Sequence, residues 1–143
     1  MPQRLEKPRP RPPAPADDWA LFLDVDGCLV EFADTPDGVS VPARLRTTLE
    51  ALSARLGGAL ALVSGRPLRG IDTLFAPLRL ATAAGLHGLE RRSAHGAQDA
   101  PAPPGALASI RGEAEQLARR WPGVVVEDKG AALGLHWRVA PAA

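Results

Sequence analysis

One cysteine, Cys28, stands in the whole 143-residue chain. A single thiol excludes an internal disulfide framework and a cysteine-based zinc site, and it fits a reducing cytoplasm. Long hydrophobic runs are missing too: no apolar stretch approaches the roughly 20 residues that cross a bilayer. The basic residues 1–16 have no apolar run behind them, so neither a secretory leader nor a membrane partner is expected. Net charge is almost absent, with 17 basic and 16 acidic residues giving +1. That balance supplies no strong field for nucleic acid, so no nucleic-acid partner is expected and charge names no other.

What is present is ordinary for a globular protein. Hydrophobic residues make up 45% of a length that suits one domain, or a piece of a larger one. Residues 1–16 carry six of the 15 prolines together with Arg4, Lys7, Arg9 and Arg11. That composition neither nucleates a helix nor buries a core, and the segment is expected to be a disordered tail. From Trp19 the pattern becomes WALFLDVDG, a short apolar run ending in acids and a glycine, as in a buried parallel strand and its carboxyl-end loop.

Leu45, Leu49, Leu52 and Leu56 recur at helical spacing between Pro42 and the pair Gly57-Gly58. Residues 59–64, ALALVS, read as a second buried strand, residues 67–76 as a shorter helix and residues 78–84 as a third strand. Right-handed crossovers would put these three strands in one parallel sheet with their carboxyl ends on one edge. Beyond Gly85 comes the loop-rich AHGAQDAPAPPG, then a helix over 106–121 and strands over 124–129 and 132–139 that read as a hairpin or as neighbouring strands. Trp121 and Trp137 are expected to fill a core.

The chemistry centres on Asp24-Val25-Asp26-Gly27, directly after the first strand. Two carboxylates at i and i+2 leave a turning backbone close together, where a hard cation such as magnesium can take one or two of them, a backbone carbonyl and a substrate phosphate. Asp24 can then attack phosphorus while Asp26 protonates the leaving oxygen and later activates water. Aspartates also merely cap turns, and that reading stays open for an isolated pair. Ser64-Gly65-Arg66, at the end of the second strand, offers a hydroxyl, backbone N–H groups and a guanidinium to phosphate oxygens. The same tripeptide also suits a simple strand-to-helix turn.

LDVDGCLVEF resembles the first motif of the haloacid dehalogenase superfamily, and VSGR its second. TPDGVSVP, LALVSGRPLRGIDTLFAPLRL, GLHGLERR and VEDKGAALGLHWRVAP together resemble the trehalose-6-phosphate phosphatase family, from about Trp19 to Pro141. The resemblance implies an α/β fold: a Rossmann-like parallel-sheet core over 17–86 and the beginning of an inserted α/β cap over 87–143. It implies hydrolysis of trehalose 6-phosphate, a small sugar phosphate, to trehalose and phosphate, with Asp24 as nucleophile, Asp26 as general acid and base, and Ser64 as phosphate binder.

Magnesium would involve Asp24 and Asp26, the latter through its backbone carbonyl, and Glu127, Lys129 and Arg138 would contact the disaccharide. Glu127 and Lys129 are two apart on a strand and share a face, which also suits a surface ion pair. His87, beside Gly85 and Gly88, either orients substrate at the cap hinge or hydrogen-bonds a turn. Glu90 and Arg91 equally suit a solvated strand end.

Two features depart from the family pattern. Cys28 replaces a threonine and is expected to be a small buried residue rather than a reactive thiol. The family continues with a phosphate-neutralising lysine and a GDDxTDE-like acidic motif that do not occur in these residues. The chain therefore reads as an amino-terminal portion, with little turnover expected of it alone. The competing readings are a noncatalytic phosphate- or sugar-binding or vestigial domain, and a broader sugar phosphatase.

Overall fold

In the computed structural model, which describes residues 13–33, 38–137 and 140, the apolar run before the acidic loop forms strand β1, Leu21–Asp24. The proline-rich residues 1–12 and Arg138 lie outside the described residues. Helix α1, Ala43–Arg55, follows the leucine spacing, with Leu49 buried and Leu45 and Leu52 packed against the core. Strand β2, Leu60–Val63, and helix α2, Leu68–Phe75, come next, then strand β3, Thr82–Gly85. The three strands are parallel in the order β1-β2-β3, as the crossovers require.

β1 is less buried than its composition suggests. It pairs only with β2 among the described residues, and its side chains alternate, leaving Phe22 73% exposed. The central β2 carries the apolar load. Leu60 and Leu62 pack with Val25, Leu49, Ile71 and Phe75 in one core between the sheet and the helices.

Residues 96–98 correct the loop-rich reading of the AHGAQDAPAPPG stretch, and residues 90–93 ahead of it form a strand as well. Strands β4, Glu90–Ser93, and β5, Gly96–Gln98, form an antiparallel hairpin that extends the sheet beyond β3. No apolar alternation announces β4, because its half-buried positions are Glu90 and Arg92. Polar partners hold both, although the buried Nε of Arg92 makes no hydrogen bond. Arg92 forks onto Asp72 with two 2.8 Å hydrogen bonds and donates to the Leu80 carbonyl at 3.0 Å. Glu90 accepts the Leu68 N–H at 2.5 Å, supplying the cap that Pro67 cannot give α2. Glu90→Ala is expected to cost about 1 kcal/mol, the usual loss of a helix cap, read as a lower urea midpoint. Glu90→Gln, which keeps an acceptor, should recover part of it.

A second layer follows: helix α3, Ala106–Ala118, over the antiparallel pair β6, Val125–Asp128, and β7, Leu133–His136. Arg111 of α3 donates to Asp128 at 2.5 Å, so the Asp128 face of the hairpin meets the helix and the Glu127 face is turned the other way. The Gly130 N–H first, and Arg111 next, hold the Asp128 carboxyl below its ordinary value of 3.8. A depressed folded-state value stabilises above the unfolded value and is lost as pH falls through the folded one. Asp128→Asn should therefore flatten the decline of the urea midpoint below pH 3.8. An unchanged acid profile would show that the group adds nothing.

Among the described residues, no helix is long and apolar enough to cross a membrane.

Candidate active site

Parallel pairing sets Asp24 opposite Val63 at the carboxyl end of the sheet, so the loops after β1 and β2 leave side by side. After β1 the chain turns tightly, with Leu29 and Val30 both donating to the Val25 carbonyl. Val25 is fully buried in the core, which sends the flanking Asp24 and Asp26 outward together. The Asp-x-Asp spacing thus has a packing cause: the middle residue anchors the loop and its neighbours face the cavity.

The expected burial of Cys28 is not found: the residue is exposed. The turn brings its thiol to Asp24, and the hydrogen bond to that carboxylate pushes the Cys28 thiol up, with slight desolvation and the Asp24 charge acting in the same direction.

On the neighbouring loop Ser64 is 3% exposed, and its Oγ accepts the Arg66 N–H at 3.0 Å. The same hydroxyl lies 3.5 Å from Asp26 Oδ2. Arg66 forks onto Asp26, with Nε 3.0 and 3.2 Å from the two oxygens and a terminal nitrogen 2.8 Å from Oδ1. The two loops are therefore tied by a half-buried ion pair. Gly65 is sterically required, since a Cβ there would lie 2.7 Å from His87 Nε2. His87 and its neighbour Leu86 hold left-handed backbone, φ 56° and 48°, a cost of order 1 kcal/mol each for non-glycine residues. The His87 N–H donates to the Ser64 carbonyl at 3.1 Å, which fixes the turn beneath the ring.

The β6–β7 hairpin closes the opposite wall. Lys129 Nζ donates to the Gly65 carbonyl at 2.9 Å, directly joining the second layer to the Ser64-Gly65-Arg66 loop. Glu127 lies 3.4 Å from Lys129 and 2.7 Å from His136. Between the walls is a cavity of about 620 Å³, bounded by Asp24, Asp26, Ser64 and Arg66 on one side and by Glu127 and Lys129 on the other.

Eight of the residues singled out in the sequence meet here: Asp24, Asp26, Ser64, Gly65, Arg66, His87, Glu127 and Lys129. A further polar lining group, His136, was not singled out in the sequence, and Trp137 was placed elsewhere. His136 shares the Glu127 face through the register Glu127↔Gly134, a relation legible once the hairpin is aligned. Trp137 is 59% exposed and lines the cavity, and Trp121 is 44% exposed, so neither fills a core as expected. Trp137 follows β7 directly, just beyond its last paired residue.

The carboxylates of Asp24 and Asp26 are hard-oxygen donors of the kind that suit magnesium, which keeps waters and takes one or two carboxylates. Among the described residues, no group of three or more acidic, histidine or cysteine side chains converges as a complete cage.

The fold and this edge define an α/β domain with paired aspartates and a serine-glycine-arginine turn at the carboxyl ends of parallel strands. The chain belongs to the trehalose-phosphatase family, whose model matches residues 22–143. It is 48% identical over 125 residues to a probable trehalose-phosphate phosphatase of Sinorhizobium fredii, covering 87% of this chain and 47% of that protein. It is 37% identical over 138 residues to the trehalose-6-phosphate phosphatase of Escherichia coli, covering 96% of this chain and 52% of that one. The chain thus spans about half the length of the curated relatives it matches. Among solved structures, the C-terminal domain of C. albicans trehalose-6-phosphate phosphatase shares the fold, with a TM-score of 0.72 at 19% identity over 85% of this chain and 43% of that one.

Proposed function

We propose that the site belongs to a magnesium-dependent phosphatase that hydrolyses trehalose 6-phosphate to trehalose and phosphate in the cytoplasm, as a step of trehalose biosynthesis. One observation carries the proposal: aspartates and the Ser64–Arg66 loop face Glu127 and Lys129 across a single cavity of about 620 Å³. That volume is typical of small-molecule sites. One wall offers phosphoryl chemistry and the other offers hydrogen bonds to hydroxyls.

In this mechanism an Asp24 oxygen attacks phosphorus, the bond to the sugar oxygen breaks, and that oxygen takes a proton from Asp26. The product is an aspartyl phosphate and free trehalose. Asp26 then removes a proton from water as the water attacks phosphorus, releasing phosphate and restoring Asp24. Ser64 and the backbone of Gly65 and Arg66 hold the phosphoryl oxygens. Arg66, paired with Asp26 at 2.8 Å, exchanges that partner for the arriving phosphate and frees Asp26 for proton transfer. Asp24 and the Asp26 carbonyl would hold magnesium, which would supply charge neutralisation at the phosphoryl group. His87 orients the substrate above Gly65, and Glu127, Lys129 and Arg138 read the sugar hydroxyls.

In the full-length protein, Glu127→Ala, Lys129→Ala and Arg138→Ala are each expected to lower the ratio of kcat/KM for trehalose 6-phosphate to that for an aryl phosphate. About tenfold or more is expected, the worth of a charge-assisted hydrogen bond. Phosphate release from both substrates, and from glucose 6-phosphate, tests this. Equal losses on all substrates would count against sugar reading by this wall.

A further inference from the structure

Glu127 is addressed twice on the same oxygen. His136 Nε2 lies 2.7 Å from Oε2, and Lys129 Nζ lies 3.4 Å from that same atom. Among the described residues no hydrogen bond is made to Oε1. The floor beneath the cluster is Gly134, the register partner of Glu127. A Cβ at Gly134 would sit 3.0 Å from His136 Nε2, 3.2 Å from Glu127 Oε2 and 3.3 Å from Lys129 Cε. Such distances force neighbours to shift, so three side chains converge on a spot that only a hydrogen keeps open.

We propose that His136 is a positioning residue for substrate choice: by holding Glu127 Oε2 against Lys129 over Gly134, it turns Oε1 into the cavity as an acceptor for a sugar hydroxyl. The inference rests on the sugar-phosphate reading above and assigns a role to a residue which that reading does not use.

The physical case is one of preorganisation. A glutamate with one fixed oxygen loses rotamer freedom before the ligand arrives, so less is lost on binding. A carboxylate accepts up to about four hydrogen bonds, so clamping Oε2 does not spend the acceptor capacity of Oε1. The bond to His136 needs only an Nε2–H, present in the imidazolium and in one neutral tautomer, so the role requires no particular charge on the ring. His136 makes the short contact to Oε2, whereas Lys129 Nζ lies 3.4 Å from it and gives its own short hydrogen bond, 2.9 Å, to the Gly65 carbonyl.

The test uses full-length protein with trehalose 6-phosphate and an aryl phosphate. His136→Leu keeps the bulk and removes the donor, whereas His136→Gln places an amide N–H near the Nε2 position. For His136→Leu, KM for trehalose 6-phosphate should rise about tenfold, more than kcat falls, with a matching drop in preference over the aryl phosphate. His136→Gln should recover the preference to within about threefold of the parent. Gly134→Ala, which pushes the pair from the opposite side, should reproduce the leucine phenotype, and urea midpoints identify any variant that is merely unfolded.

An unchanged KM in a folded His136→Leu protein, or an equal fall on both substrates that glutamine does not repair, would overturn the assignment. A parent protein that shows no preference for trehalose 6-phosphate would instead sink the underlying sugar reading, so the two failures are distinguishable.

Discussion

Asp24→Asn in the full-length protein is expected to abolish phosphate release from trehalose 6-phosphate, with kcat falling by about 10³-fold or more, as when other covalent nucleophiles are removed. An amide keeps the shape of the side chain but not the anion that must attack phosphorus. Asp24 closes β1 on its exposed face, so the fold does not depend on its charge and the urea midpoint should stay near the parent value. Substrate binding should survive, because Ser64, Arg66 and the Glu127 wall are untouched. Normal phosphate release by this variant would remove Asp24 from the nucleophile's role.

Phe75→Ala should have the largest effect on stability. Phe75 is 1% exposed at the end of α2 and packs in the core with Leu49, Leu60 and Ile71. Truncating a phenylalanine there removes apolar burial and leaves a cavity, at a cost of about 3–5 kcal/mol. A domain whose whole stability is about 5–15 kcal/mol loses much of its margin. Thermal or urea unfolding of the variant should shift accordingly. A midpoint within experimental error of the parent would show that the site collapses around the smaller side chain.

The legible part of the fold was the part written in apolar periodicity. Leu45, Leu49 and Leu52 announced α1, ALALV announced β2, and both survive with ends shifted by a residue or two. The β4–β5 hairpin was not legible, because its inward side chains are Glu90 and Arg92, held by a helix N–H and by Asp72 rather than by apolar contact. Such a strand is specified by partners distant in sequence, which local pattern cannot reveal.

The site divides in the same way. Asp24, Asp26 and Ser64 could be assembled from strand ends alone, since parallel pairing delivers consecutive loops to one edge. Arg66 was expected to face phosphate, and the ion pair it makes with Asp26 depends on side-chain geometry that the sequence does not encode locally. Cys28 and Trp137 were expected to be buried and are exposed, because composition records that a residue is apolar but not whether a layer remains to cover it. His136 needed the hairpin register, which sets Val125 opposite it and puts Glu127 on the same face.

The central claim, that Asp24 becomes phosphorylated, is tested most directly by trapping the intermediate. Full-length protein would be mixed with trehalose 6-phosphate carrying radiolabelled phosphate, quenched in acid during the first turnover, and digested for peptide mapping. The mechanism predicts acid-stable, hydroxylamine-labile label on the peptide containing Asp24, absent in Asp24→Asn. Label on Ser64 or Asp26, or phosphate release at the normal rate with no labelled protein at any quench time, would contradict it.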